Sequence, residues 1–130
     1  MGASTLELTE ANFEPTVNKG GILFIDFWAT WCPPCRAFAP VFEAAADKHH
    51  DITFGKVNTE EQRSLAQMFE IQAIPTLAVF RDKVLLFSEA GAIPAAALEQ
   101  LIGKVRELDM EQVRRDIEDI KKREGAPKGP

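Results

Sequence analysis

The spacing of hydrophobic and polar positions changes several times along the chain, and each change marks an element. Ile22-Leu23-Phe24-Ile25-Asp26-Phe27-Trp28 is a nearly continuous apolar run, which reads as a buried strand. Between Arg36 and Lys48 the spacing becomes helical, with Phe38, Val41, Phe42 and Ala45 on one side. Pro40 lies inside this helix and is expected to kink it, because it removes a backbone donor. Ile52 to Asn58 alternates as a strand does, after His49-His50-Asp51 closes the helix. Thr59 and Gln62 have capping-box spacing, ahead of a helix with Leu65, Met68 and Phe69 on its apolar face. Thr76 to Phe80 and Val84 to Phe87 read as strands. The turn Arg81-Asp82-Lys83 between them is short enough for an antiparallel hairpin.

The strongest amphipathic signal comes next: Leu98, Leu101, Ile102, Val105 and Leu108 repeat at helical intervals, with Pro94 suited to the first turn. Asp109 can cap one more helix, Met110 to about Arg123, with Val113, Ile117 and Ile120 on one face. That face either covers the protein's own surface or meets a partner, a second copy included. Near the N-terminus, Leu6-Glu7-Leu8 is a short strand candidate. A short helix follows it, capped by Thr9, stapled by Leu8 and Phe13, carrying Pro15 and ending at Gly20-Gly21. Right-handed crossovers would set the first three strands parallel and adjacent, and the hairpin would add two antiparallel strands. The expected fold class is α/β, with a mixed five-stranded sheet and helices on both faces. Residues 1–108 form the expected domain, 109–123 a helical extension, and 124–130 a Gly/Pro/Lys-rich tail expected to fray.

Composition narrows the function without choosing it. The chain has 130 residues, 45% of them hydrophobic and 27% charged, ordinary for a globular domain with a real core. A net charge of -5 argues against a nucleic-acid groove. No apolar run is long enough to span a bilayer, and the first five residues do not lead into the apolar segment of a secretory signal. The simplest expected location is the cytoplasm. The cysteine count of two is too low for a disulfide scaffold.

Those two cysteines, Cys32 and Cys35, stand between the apolar strand and the next helix, in Trp31-Cys32-Pro33-Pro34-Cys35. On a first helical turn this spacing sets both sulfurs on one side. The helix start offers unpaired N–H groups and a partial positive charge, which stabilise a thiolate. Such a pair needs no cofactor: one sulfur attacks a disulfide and the other resolves the mixed intermediate. Cys32 caps the helix and is the expected nucleophile; Cys35 lies a turn inside and is expected to be more buried. A zinc half-site would need His49 and His50, whose side chains point about 100° apart on a helix, and no metal is expected. Asp26 is an acid within an apolar strand, so burial should raise its pKa.

Asp26 to Arg36, Pro40, Lys56-Val57-Asn58, Ile74-Pro75-Thr76 and Gly91 together resemble the thioredoxin family, over roughly Leu6 to Leu108. The resemblance implies a thioredoxin fold and a protein thiol-disulfide oxidoreductase that reduces substrate disulfides. It implies an external, thioredoxin-reductase-like electron donor. It makes Asp26 the proton acceptor for the Cys35 thiol, and Pro75 a cis-proline opposite the cysteines, leaving the Ile74 backbone open to an extended substrate. Lys56 is either the partner of Asp26 from the adjacent strand or a solvated strand lysine. Trp28 is expected in the core and Trp31 at the surface. Trp31, Pro33, Pro34, Ile74, Pro75, Gly91 and Ala92 form the expected docking surface. Pro33 departs from the glycine usual in thioredoxins, and the resulting Trp-Cys-Pro-Pro-Cys resembles tryparedoxins and some cytochrome-maturation thioredoxins, whose insertions this chain lacks. A tryparedoxin-like carrier, a disulfide-forming oxidant and a non-catalytic binding subunit are the alternatives. A monomer is expected, with dimerisation through the last helix as the other possibility.

Overall fold

The computed structural model describes residues 4–124. The tail from residue 125 on and the first three residues lie outside the described residues. The elements are β1 (Thr5–Glu7), α1 (Phe13–Asn18), β2 (Ile22–Trp28), α2 (Pro33–Lys48), β3 (Thr53–Asn58), α3 (Arg63–Met68), β4 (Thr76–Arg81), β5 (Val84–Ala90), α4 (Ala95–Glu107) and α5 (Met110–Glu124). The strands form one five-stranded sheet in the order β1-β3-β2-β4-β5. β1, β3 and β2 run parallel, while β4 is antiparallel to β2 and β5 to β4. The apolar run β2 is therefore the central strand, paired along both sides.

Because side chains alternate across a sheet, β2 feeds two cores. Phe24 joins Phe54, Leu77 and Val79 beneath α2 and α4, through Phe38, Phe42, Leu98, Ile102 and Val105. Leu23, Ile25 and Phe27 join Val57, Leu65 and Ala78 on the other face, where α1 and α3 add Phe13, Val17 and Phe69. Gly55 lets Leu8 lie flat on β3: a Cβ there would come within 2.5 Å of Leu8 Cδ1.

Several local expectations shift. Thr9 caps a turn rather than a helix: its Oγ1 accepts from Ala11 and Asn12 N–H, and α1 begins at Phe13. Thr59 and Gln62 form no capping box. The Thr59 hydroxyl donates to the Trp28 carbonyl, Gln62 Oε1 accepts from Glu10 N–H, and Glu10 accepts in turn from Ser64 N–H at the start of α3. The hairpin turn is tighter than expected, Asp82 and Lys83 alone, both at positive φ (52° and 75°), which suits a two-residue turn. Pro40 lies within α2, which runs on through it to Lys48. Leu108 is not the last turn of α4 but its C-cap. Arg81 Nη1 donates to the carbonyls of Val105 (2.8 Å) and Leu108 (2.9 Å), clasping the end of α4 and the elbow to α5. Asp109 caps α5 as expected, accepting from Glu111 and Gln112 N–H.

Candidate active site

Cys32 and Cys35 are joined as a disulfide, with Cα atoms 5.2 Å apart. Cys32 is the N-cap of α2, Pro33 and Pro34 open the helix, and Cys35 lies a turn inside. Two of the helix's first N–H groups are missing at the prolines. Cys35 N–H fills the gap and donates to Cys32 Sγ at 3.2 Å. The expected contrast in burial is absent, since each cysteine is 2% exposed. Cys32 is covered because the disulfide folds it against Ala29, Trp28 and Ile74. Its Sγ lies 3.7 Å from the Ile74 carbonyl oxygen.

The Ile74–Pro75 peptide is cis. Pro75 is buried, Ile74 is half-buried against the cysteines, and Gly91 N–H donates to the Pro75 carbonyl at 2.8 Å. The structure thus brings Cys32, Ile74, Pro75 and Gly91 together. Pro33, Pro34 and Ala92 are exposed beside them. Trp31 is 62% exposed, and its indole N–H donates to Glu60 at 2.6 Å. Trp28 is half-buried rather than a core residue, with the Lys56 ammonium 5.4 Å from its ring centroid.

Asp26 is fully buried, and neither carboxyl oxygen has a hydrogen-bond partner. Burial pushes its pKa up from 3.8 to about 7; Lys56 pulls it down and Glu43 pushes it further up. Register pairs Asp26 with Lys56 across β2 and β3, which sets both side chains on the α2 face. Even so, Lys56 Nζ pairs with Glu43 of α2, at 3.0 Å, and not with Asp26. The available signal was a lysine in a strand that otherwise packs inward, which calls for a carboxylate on the helix above it.

His49 does not turn toward the cysteines. It caps the far end of α2, sixteen residues and therefore roughly 24 Å away along the axis. There it bonds Glu99 through Nε2 and Arg106 through Nδ1. Among the described residues, no helix is long and apolar enough to cross a membrane.

The Thioredoxin family model matches residues 4–104, ending within α4. "Putative thioredoxin 2" of Streptomyces coelicolor is 51% identical over 114 residues, spanning 88% of this chain and 85% of that one. Thioredoxin 1 of Synechococcus elongatus is 38% identical over 99 residues, 75% of this chain and 92% of that one. The crystal structure of mitochondrial thioredoxin 3 from Saccharomyces cerevisiae, in its oxidised form, superposes with a TM-score of 0.71 at 31% identity, covering 78% of this chain and 95% of that one. A paired Cys32 and Cys35 at a strand-to-helix junction agree with these matches, and the chain belongs to the thioredoxin family, as a thiol-disulfide oxidoreductase of the protein-disulfide reductase type.

Proposed function

We propose that the protein works as a reductant, with Cys32 as nucleophile, Cys35 as resolving thiol and Asp26 as the proton acceptor for Cys35. In the dithiol form, the Cys32 thiolate attacks one sulfur of a substrate disulfide and releases the other as a thiolate. Asp26 takes the Cys35 proton; the Cys35 thiolate then attacks Cys32 Sγ, frees the second substrate thiol and closes the Cys32–Cys35 bond. An external dithiol reductase returns two electrons. Substrates are proteins whose extended segments lie along Ile74, Pro75, Gly91 and Ala92, flanked by Trp31, Pro33 and Pro34. Lys56 acts on the site electrostatically. The low cysteine count fits a reducing compartment, the cytoplasm, and we take the working unit to be a monomer.

The observation that carries this reading is the buried, unpartnered Asp26 carboxyl on the α2 face of the central strand. Dithiothreitol-driven insulin reduction tests the activity, and trapping tests the roles. Cys35→Ser should hold substrates as mixed disulfides, and Cys32→Ser should hold none. Faster alkylation of Cys35 than of Cys32 in the reduced protein would reverse the assignment.

A further inference from the structure

We propose that Glu43 is a positioning residue: it captures the Lys56 ammonium that strand register sets beside Asp26, and so leaves the Asp26 carboxyl without a counter-ion and able to exchange a proton with the site. This rests on the reading of Asp26 as proton acceptor.

Three observations converge. Asp26 and Lys56 are register partners on adjacent parallel strands, a placement that sets their side chains side by side on one face of the sheet. The Lys56 ammonium nevertheless sits 3.0 Å from Glu43 Oε2 and over the Trp28 ring, and both Asp26 oxygens lack a partner. Lys56 and Glu43 keep 19% and 24% of their side-chain surface, so their pair forms at the protein's edge while Asp26 stays sealed beneath. An ammonium that also touches water at the edge loses less hydration than one drawn in to Asp26. The charged groups acting on Asp26 are Lys56 from β3 and Glu43 from α2. From β4, its register partner is the apolar Leu77; the redox-active Cys35 is on α2.

Glu43 could act in two ways. As a nearby negative charge it raises the Asp26 pKa directly; as the anchor of Lys56 it keeps a positive charge off Asp26. A double-mutant cycle separates them. The ionisation of Asp26 is followed by carboxyl carbon NMR in the oxidised protein, for wild type, Glu43→Gln, Lys56→Met and the double variant. In Glu43→Gln the Asp26 midpoint should move to lower pH, changing its proton affinity by about tenfold or more. In the Lys56→Met background the same substitution should move it far less, and Glu43→Asp should keep the wild-type midpoint. An unmoved midpoint in Glu43→Gln, or an equal shift with and without Lys56, overturns the proposal. The pH profile of insulin reduction is read in parallel. If the NMR midpoint moves as expected and that profile does not, Glu43 still positions Lys56, and it is the proton-acceptor reading of Asp26 that falls.

Discussion

At the scale of single residues, the site is a set of deliberate vacancies in hydrogen bonding. Asp26 has no partner, and its pKa is raised by burial to about 7. In the unfolded chain its pKa lies near the ordinary 3.8. Below that value both states are protonated and the ionisation penalty vanishes. As pH rises toward the folded value the unfolded state ionises first, so the native state loses stability and stays less stable above it. Asp26→Ala should therefore be more stable than wild type at pH 8, by on the order of 1–3 kcal/mol, with the gap closing toward pH 4 and with slower turnover. Chemical denaturation at the two pH values measures this; a mutant less stable at pH 8 would mean that the carboxylate has an effective partner. The second vacancy is at the prolines. Cys35 N–H is the donor to Cys32 Sγ, and Pro33 and Pro34 supply none. A weakly stabilised thiolate and a stiff inner dipeptide both favour the oxidised form, making the protein a reductant. Pro34→His restores a donor at the second helical position. Its potential, equilibrated against glutathione, should be more oxidising by at least about 30 mV, a tenfold change in equilibrium constant.

At the scale of elements, packing depends on features with no strong local signature. Gly55 is the clearest: a Cβ there would meet the buried Leu8 side chain at 2.5 Å, so Leu8 would have to shift. Gly55→Ala should cost about 1–3 kcal/mol, visible as a lower denaturation midpoint with an unchanged slope. Alternation and helical spacing made the central strand, the cysteine helix and the hairpin legible, because those signals are carried by consecutive residues. β2 in particular spans Ile22–Trp28 as read. Pairings between distant segments were not legible. Thr59 and Gln62 match a capping box, yet Gln62 is taken by Glu10, 52 residues away, and Thr59 by Trp28. Lys56 was expected to meet Asp26 or water; a helix flank it could not see locally supplied Glu43. In the site, the residue types followed from the Cys-x-x-Cys spacing and the family resemblance, whereas the equal burial of the two sulfurs depends on how Ile74 and Trp28 close over them.

At the scale of the whole molecule, α5 follows every residue of the candidate site in the chain. The family match stops at residue 104, before this helix begins at Met110. Met110 is buried, Val113 and Ile117 are half-buried, and Ile120 is 43% exposed. Removing residues 109–130 should leave insulin reduction intact, since the cysteines, Asp26 and Pro75 all precede the cut. If α5 lies on its own domain, melting should fall by several degrees, as about 1 kcal/mol does in a small domain. A change in light-scattering mass would instead make α5 a dimerising element, and loss of activity in a folded truncation would falsify its independence. The Arg81 clasp has one more consequence. β4 starts at Thr76, beside the cis-proline, and ends at Arg81, which grips the elbow to α5. Six strand residues span roughly 20 Å, so the extension is rooted at the pole opposite the disulfide. Replacing Arg81 would therefore loosen the hinge of the extension from the far end of the very strand that begins at the cis-proline, with the dithiol itself untouched.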